Sequence, residues 1–279
     1  MKKYGFKKPV IDKTHYFQGD GNVPRVVLQE DGNWEQFLPD PEEQNRRGIE
    51  TYDCTGFAIL NGIETLFLRL YGIKINYSDR WVGIIAETVE GGNDPHIVCE
   101  AIRKYGLIPE EMLPFSDDIQ DIKEYYSFKG ANIGDCYAEG RKWLSQYEFL
   151  HTWIFNENAP LDEKINNMKI AYRYSPLPLA VSAWSKNNEG LYFRFGDDNH
   201  LTMSYKMNNA FDSYPEFKKE LTNEFNYYFV KRLYISKRTI PIIPSIKDNW
   251  LIDVLNRLWL FIKDILKTHA ILSPKISVY

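Results

Sequence analysis

Three positions combine residue type and spacing in a way that could do covalent chemistry. Cys54 lies in the run Glu50-Thr51-Tyr52-Asp53-Cys54-Thr55-Gly56-Phe57-Ala58, at the head of an apolar stretch of helix length. His200 follows 146 positions later and opens the strand-like run His200-Leu201-Thr202-Met203-Ser204-Tyr205, with Asp212-Ser213-Tyr214 close behind. The thiolate, not the thiol, is the nucleophile, and a helix N-terminus favours negative sulfur through its unpaired N–H groups and dipole. A partner imidazole would stabilise that sulfur, then protonate the amine leaving an attacked amide. An acid would hold the ring in its working tautomer. Asp212 is the candidate for that task, with Asp197, Asp198 and Asn199 also near His200 in sequence.

Other cysteines and histidines fit this chemistry less well. Cys99 falls mid-helix and Cys136 follows a Gly-Asp turn, so both read as structural, and a buried structural thiol is also the bland reading of Cys54. Of His15, His96, His151, His200 and His269, His96 is the second candidate partner, 42 positions after Cys54. It sits at a helix start, where the dipole disfavours a protonated ring. Asp212 carries a register condition. A strict two-residue turn at Asn208-Asn209 would pair 205 with 212 and leave Asp212 on the face opposite His200. One bulge, or a three-residue turn, restores the match.

The elements that must hold these residues can be outlined. Phe57, Leu60, Ile63, Phe67 and Leu70 recur at spacings of three and four, predicting a helix from Cys54 to Tyr71 that Gly72 ends. Further helices are expected at about 77–88 and from His96 to Tyr105, with Gly91-Gly92-Asn93-Asp94-Pro95 as the break between them. Residues 1–53 read as irregular apart from a strand-like Val26-Val27-Leu28, and 116–170 as mostly helical. Strands are expected at Leu179–Trp184, His200–Tyr205, Ala210–Tyr214 and Phe225–Ile235. Helices first and strands later make an α+β fold. The expected division is a domain at 1–236, then a linker marked by Pro241 and Pro244 with an amphipathic C-terminal helix at 248–267. Its polar stripe, which includes Asp253, Arg257, Lys263, Asp264 and Lys267, makes it a poor transmembrane span and favours packing on the catalytic domain or docking on a protein partner.

Composition narrows the function classes. The apolar fraction of 44 % is that of a globular chain able to bury a core, and a net charge of −4 recommends no nucleic-acid partner. Three cysteines do not make a disulfide framework, and no Cys or His spacing suits a metal, so no metal or cofactor is expected. The basic residues of the N-terminal stretch have no apolar core behind them, so no signal peptide is expected and synthesis in the cytoplasm is.

Taken together, the residues resemble the papain-like cysteine peptidases, in correctly ordered patches from about 44 to 235. Cys54 opens the long helix, and Gly91-Gly92 stands where that family has a Gly-Gly strip lining the substrate cleft. Val98 to Glu110, closing at Pro114-Phe115, is similar to its helix and Gly-aliphatic-x-x-Glu passage, and Pro178-Leu179-Ala180-Val181 to its first barrel strand. Asn199-His200 matches its Asn-His, while Asp212-Ser213-Tyr214 replaces its usual Asn-Ser-Trp. Tyr52-Asp53-Cys54-Thr55 replaces Gly-Ser-Cys-Trp, and position 48, where the oxyanion-hole Gln usually lies, is Gly. The resemblance implies peptide-bond hydrolysis by a Cys54-His200-Asp212 triad in a cleft between a helical and a β-rich half. It offers Gln44 as oxyanion donor, Gly91, Gly92 and Tyr214 as substrate-side residues with Tyr214 over the His–Asp bond, and a protein or peptide substrate. The Asp-Ser-Tyr and Thr-Gly-Phe-Ala variants look like divergent papain-like proteins encoded by bacteriophages, which leaves a virion-associated location open. Asp-Cys-Thr-Gly-Phe also resembles the Asp-Cys-Ser-Gly start of NlpC/P60 peptidoglycan hydrolases, whose order would need His96 on a strand. A third reading is an inactive papain-like structural or attachment module, with a blocked or solvent-remote Cys54.

Overall fold

The computed structural model describes residues 5–156, 158–186, 192–214 and 229–238, with side chains of 181–199 excepted. Residues 239–279, on which the linker and C-terminal helix were expected, lie outside the described residues, as do 225–228 of the last expected strand and His269.

Helix α1, Cys54–Tyr71, is capped at both ends by local chemistry. The Asp53 carboxylate accepts the Gly56 N–H at 3.3 Å, and Gly72 turns left-handed (φ 66°) while its N–H reaches Leu68 O. The helix is buried on all sides from Cys54 to Phe67, as its broad apolar surface requires. α2, Asp79–Ile85, is shorter than the expected 77–88, because Ser78 caps it by accepting the Trp81 N–H. α3, Pro95–Tyr105, starts with Asp94 as cap and Pro at the first helical position. A short α4, Ile122–Tyr125, and α5, Ile133–Gln146, follow.

The β-rich part begins earlier than expected. β1, Tyr147–Trp153, follows α5 without a break, inside the stretch read as mostly helical. It pairs antiparallel with β5, Lys231–Lys237, a partner far too distant in sequence for local periodicity to reveal. After α6, Leu161–Ala171, come β2, Leu177–Lys186, β3, Tyr192–Lys206, and β4, Asn209–Phe211, in an antiparallel sheet ordered β2-β3-β4. Among the described residues a bridge between Leu179 and Val230, beside the Ala180 N–H donating to Phe229 O, links the two sheets. Val26-Val27-Leu28 is not a strand: Leu28 and Gln29 donate to Arg173 O, while Val26 and Val27 stay exposed.

One core cluster joins the halves, with Leu60, Ile63 and Phe67 of α1 in company with Val98, Met203 and Leu233. The sheets approach α1 closely at Gly62, where a Cβ would stand 2.8 Å from the Leu233 Cδ1. This packing sets the head of α1 against β3, and so Cys54 against the start of the His200 run. Among the described residues no helix is long and apolar enough to cross a membrane.

Candidate active site

Cys54 is the first residue of α1, where the N–H groups of the opening turn have no intrahelical acceptor. Its sulfur accepts the Leu201 N–H at 3.4 Å, which brings the head of α1 against β3. His200 precedes Leu201, and its Nε2 lies 2.7 Å from Asp212 Oδ2. The Asp212 Oδ1 accepts the Tyr214 N–H at 2.8 Å, so both carboxylate oxygens are fixed. With Nε2 committed to Asp212, Nδ1 is the ring nitrogen left to serve the Cys54 thiol. Burial works to lower the His200 pKa, but the Asp212 charge and hydrogen bond, helped by Cys54, raise it to about 10. Asp212 thus favours the protonated ring.

The register condition is met by a bulge. Met203 pairs with Phe211, Ser204 with Ala210 and Lys206 with Asn209, leaving Tyr205 as the extra residue. The turn falls at Met207-Asn208, with Asn208 left-handed (φ 64°). That shift returns Asp212 to the face of His200. The side chains of Asp197, Asp198 and Asn199 lie outside the described set.

The neighbours differ from the expectation in two respects. Gln44 lies at the site, but its Nε2 donates to Tyr214 Oη at 2.6 Å and Glu50 Oε1 at 3.0 Å. Its Oε1 accepts from Ser213 Oγ at 3.2 Å, and its backbone N–H donates to Ser213 O at 2.9 Å. Both amide hydrogens are thus spent inside the protein, and Gln44 braces the Asp212-Ser213-Tyr214 loop rather than aiming at an oxyanion. Tyr214 covers His200 edge-on, with ring centroids 4.9 Å apart. It is 1 % exposed, so it offers substrate no surface. Gly91 and Gly92 both turn left-handed (φ 90° and 89°), and Gly92 backs directly onto Gly5 of the N-terminal segment.

Two residues at the site were not singled out from the sequence. Glu50 Oε1 accepts from Tyr52 N, Gln44 Nε2 and Tyr214 Oη, tying the loop before Cys54 to the cover over His200. The adjoining Tyr52 is held left-handed (φ 57°), a strained conformation for a bulky residue. Asp53 is fully buried, and burial pushes its carboxyl well above the usual range against the Gly56 hydrogen bond. It caps α1 from within the core, directly before the sulfur-bearing residue. A capping acid next to a cysteine was the available signal; three-way convergence on Glu50 has no local signature.

Other cysteines and histidines lie elsewhere. Burial pushes the Cys99 thiol up to about 12 and raises that of Cys136. His96 stands in the first turn of α3, on a helix and not the strand an NlpC/P60 order needs, with His15 and His151 as its ring neighbours. No cluster of metal-ligating side chains occurs among the described residues.

The fold that carries these residues is matched in a solved structure. Xylellain, a cysteine protease from Xylella fastidiosa, superposes with a TM-score of 0.51 over 85 % of this chain and 96 % of its own, at 12 % identity. The fold is papain-like. Weaker likenesses include the Carica candamarcensis cysteine protease CMS1MS2 in complex with E-64, at TM-score 0.46 and 12 % identity over 74 % of this chain and 97 % of that one. Digestive procathepsin L 3 of Tenebrio molitor larval midgut gives 0.45 and 10 % over 78 % and 75 %. No family model matches the sequence, and no curated protein does. The papain-like architecture therefore rests on structure: an α+β fold in which α1 and β3 carry the candidate residues.

Proposed function

We propose that the protein is a cysteine peptidase in which Cys54 attacks a peptide carbonyl. The contact that carries this reading is the His200–Asp212 bond at 2.7 Å, on a ring whose next residue donates to the Cys54 sulfur. The Cys54 sulfur adds to the carbonyl carbon, and the oxyanion faces the N–H groups at the head of α1. His200 Nδ1 gives its proton to the leaving amine, which departs as the thioester forms. The neutral ring then takes a proton from water, and hydroxide displaces the thiolate. Asp212 holds the ring through Nε2–H throughout, and Tyr214 excludes water from that bond. A substrate in extended form would lie along the Gly91-Gly92-Asn93 strip.

A second reading has one observation in its favour. Cys54 and His200 are both 0 % exposed, as a non-catalytic attachment module would have them. The two separate on a casein digest. His200→Ala should lower kcat by about 10²- to 10⁴-fold, while His96→Ala should not lower it. Activity on a peptidoglycan preparation that vanishes in His96→Ala and survives in His200→Ala would transfer the function to a cell-wall hydrolase. No activity on either preparation would favour the module.

A further inference from the structure

Arg232 is a buried cation without an acidic partner among the described residues. It lies on β5, 2 % exposed, opposite Thr152 of β1 in the antiparallel register. Its Nη1 donates to Pro24 O at 2.7 Å and its Nη2 to Val23 O at 2.8 Å. The Tyr174 ring lies 5.2 Å from the guanidinium carbon. These contacts hold the Val23-Pro24 segment against the sheet, but they leave N–H groups of the fork unspent. Nε is buried with no partner.

A buried guanidinium is ordinarily paired with an anion, because burial strips its hydration. The neighbouring Lys231, on the other face of the strand, has that remedy. His151 Nδ1 accepts from its Nζ at 3.0 Å, and Cys99, Asp94 and Glu100 favour its charge. Arg232 has the reverse. The charged group that acts on it is a second cation, Arg25, and burial first, then Arg25, lowers its pKa to about 10. It is still charged at neutral pH.

The two arginines line a cavity of about 310 Å³, together with Gln18, Gly19, Gly21 and Thr152. No acidic side chain lines it. Asp20, in the same loop, accepts the Phe17 N–H through its Oδ2 at 2.7 Å. Gly19 and Gly21 have open space where a Cβ would stand, so neither crowds the cavity. The Gln18 Oε1 is a further buried atom with no partner, and a half-turn of that amide would offer an N–H in its place.

We propose that this cavity binds a phosphate group, free or carried on a small molecule, between Arg25 and Arg232. Guanidinium forks take oxyanions through paired N–H donors, and two of them with no acid between favour a doubly charged ligand. The volume lies at the small end of the range for ligand cavities, about 300–1,000 Å³, which suits a phosphate with a short organic body. Bound there, the anion would supply the missing counter-charge and tie the loop at 17–25 to the β1–β5 pair. None of the lining residues belongs to the Cys54 site, so the inference stands apart from the peptidase reading.

The test is isothermal titration of the full chain with inorganic phosphate, glycerol phosphate and acetate, at one ionic strength and about pH 7.5. Phosphate or its ester should bind at least about tenfold tighter than acetate. Tighter binding of the ester would assign the site to a phosphorylated small molecule, and tighter binding of phosphate to the free ion. Arg232 also braces the Val23-Pro24 segment, so the deciding variant is at the exposed Arg25. Arg25→Ala should weaken binding about tenfold or more. Lys74→Ala, which removes the same charge from an exposed position elsewhere, should leave it unchanged. No binding of phosphate or its ester below about 10 mM, acetate binding as tightly as phosphate, or wild-type affinity in Arg25→Ala would each overturn the site and leave Arg232 as a brace alone.

Discussion

Asp212 touches His200 through one charge and one hydrogen bond, and Asp212→Asn removes the charge while keeping the shape. Burial alone would lower the His200 pKa; the Asp212 carboxylate is the chief reason it stands near about 10. This pair therefore contributes stability in full below about 6.5, the ring's ordinary value, and loses it as pH rises through about 10. In Asp212→Asn the imidazole titration, followed by NMR, should move well below that of the wild type, and the alkaline loss of stability should move with it. An unchanged titration would mean that Asp212 does not govern the ring. Cysteine, histidine and acid were legible from type and order. Glu50 was not, because it reaches Tyr52, Gln44 and Tyr214 by a fold the chain does not announce locally. The same holds for Gln44, whose type suited an oxyanion donor and whose contacts spend its hydrogens on Tyr214 and Glu50.

At the scale of elements, α1 is both the carrier of Cys54 and the centre of the core. Its boundaries were legible because Asp53 and Gly72 cap it and apolar residues repeat at helical spacing. β1 was hidden, because α5 runs into it with no intervening turn residue and its partner β5 is remote. The bulge at Tyr205 could be posed from sequence as a condition, since only one added residue puts Asp212 on the face of His200. The close approach of α1 to β5 gives a sharp test. Gly62→Ala places a methyl group 2.8 Å from Leu233 in a packed core and should cost about 1–3 kcal/mol, although alanine favours a helix. Urea unfolding reads this directly: a stabilised variant would show that the Leu233 side chain yields and the core there is not tightly packed.

At the scale of the whole molecule, two constructions meet at Cys54. A papain-like pairing of α1 with β3 brings Cys54, His200 and Asp212 together, and the N-terminal segment meets the same helix head where Thr55 donates to Gly5 O. Cys99 and Cys136, whose thiols burial raises, serve as internal controls within the same chain. The most direct measurement is the iodoacetamide labelling rate of all three cysteines at about pH 6, in the wild type and in His200→Ala, located by peptide mapping. Cys54 should label at least about tenfold faster than the other two, lose that advantage in His200→Ala, and be blocked by prior treatment with E-64. Equal, slow labelling of the three thiols, indifferent to His200, would contradict a catalytic Cys54.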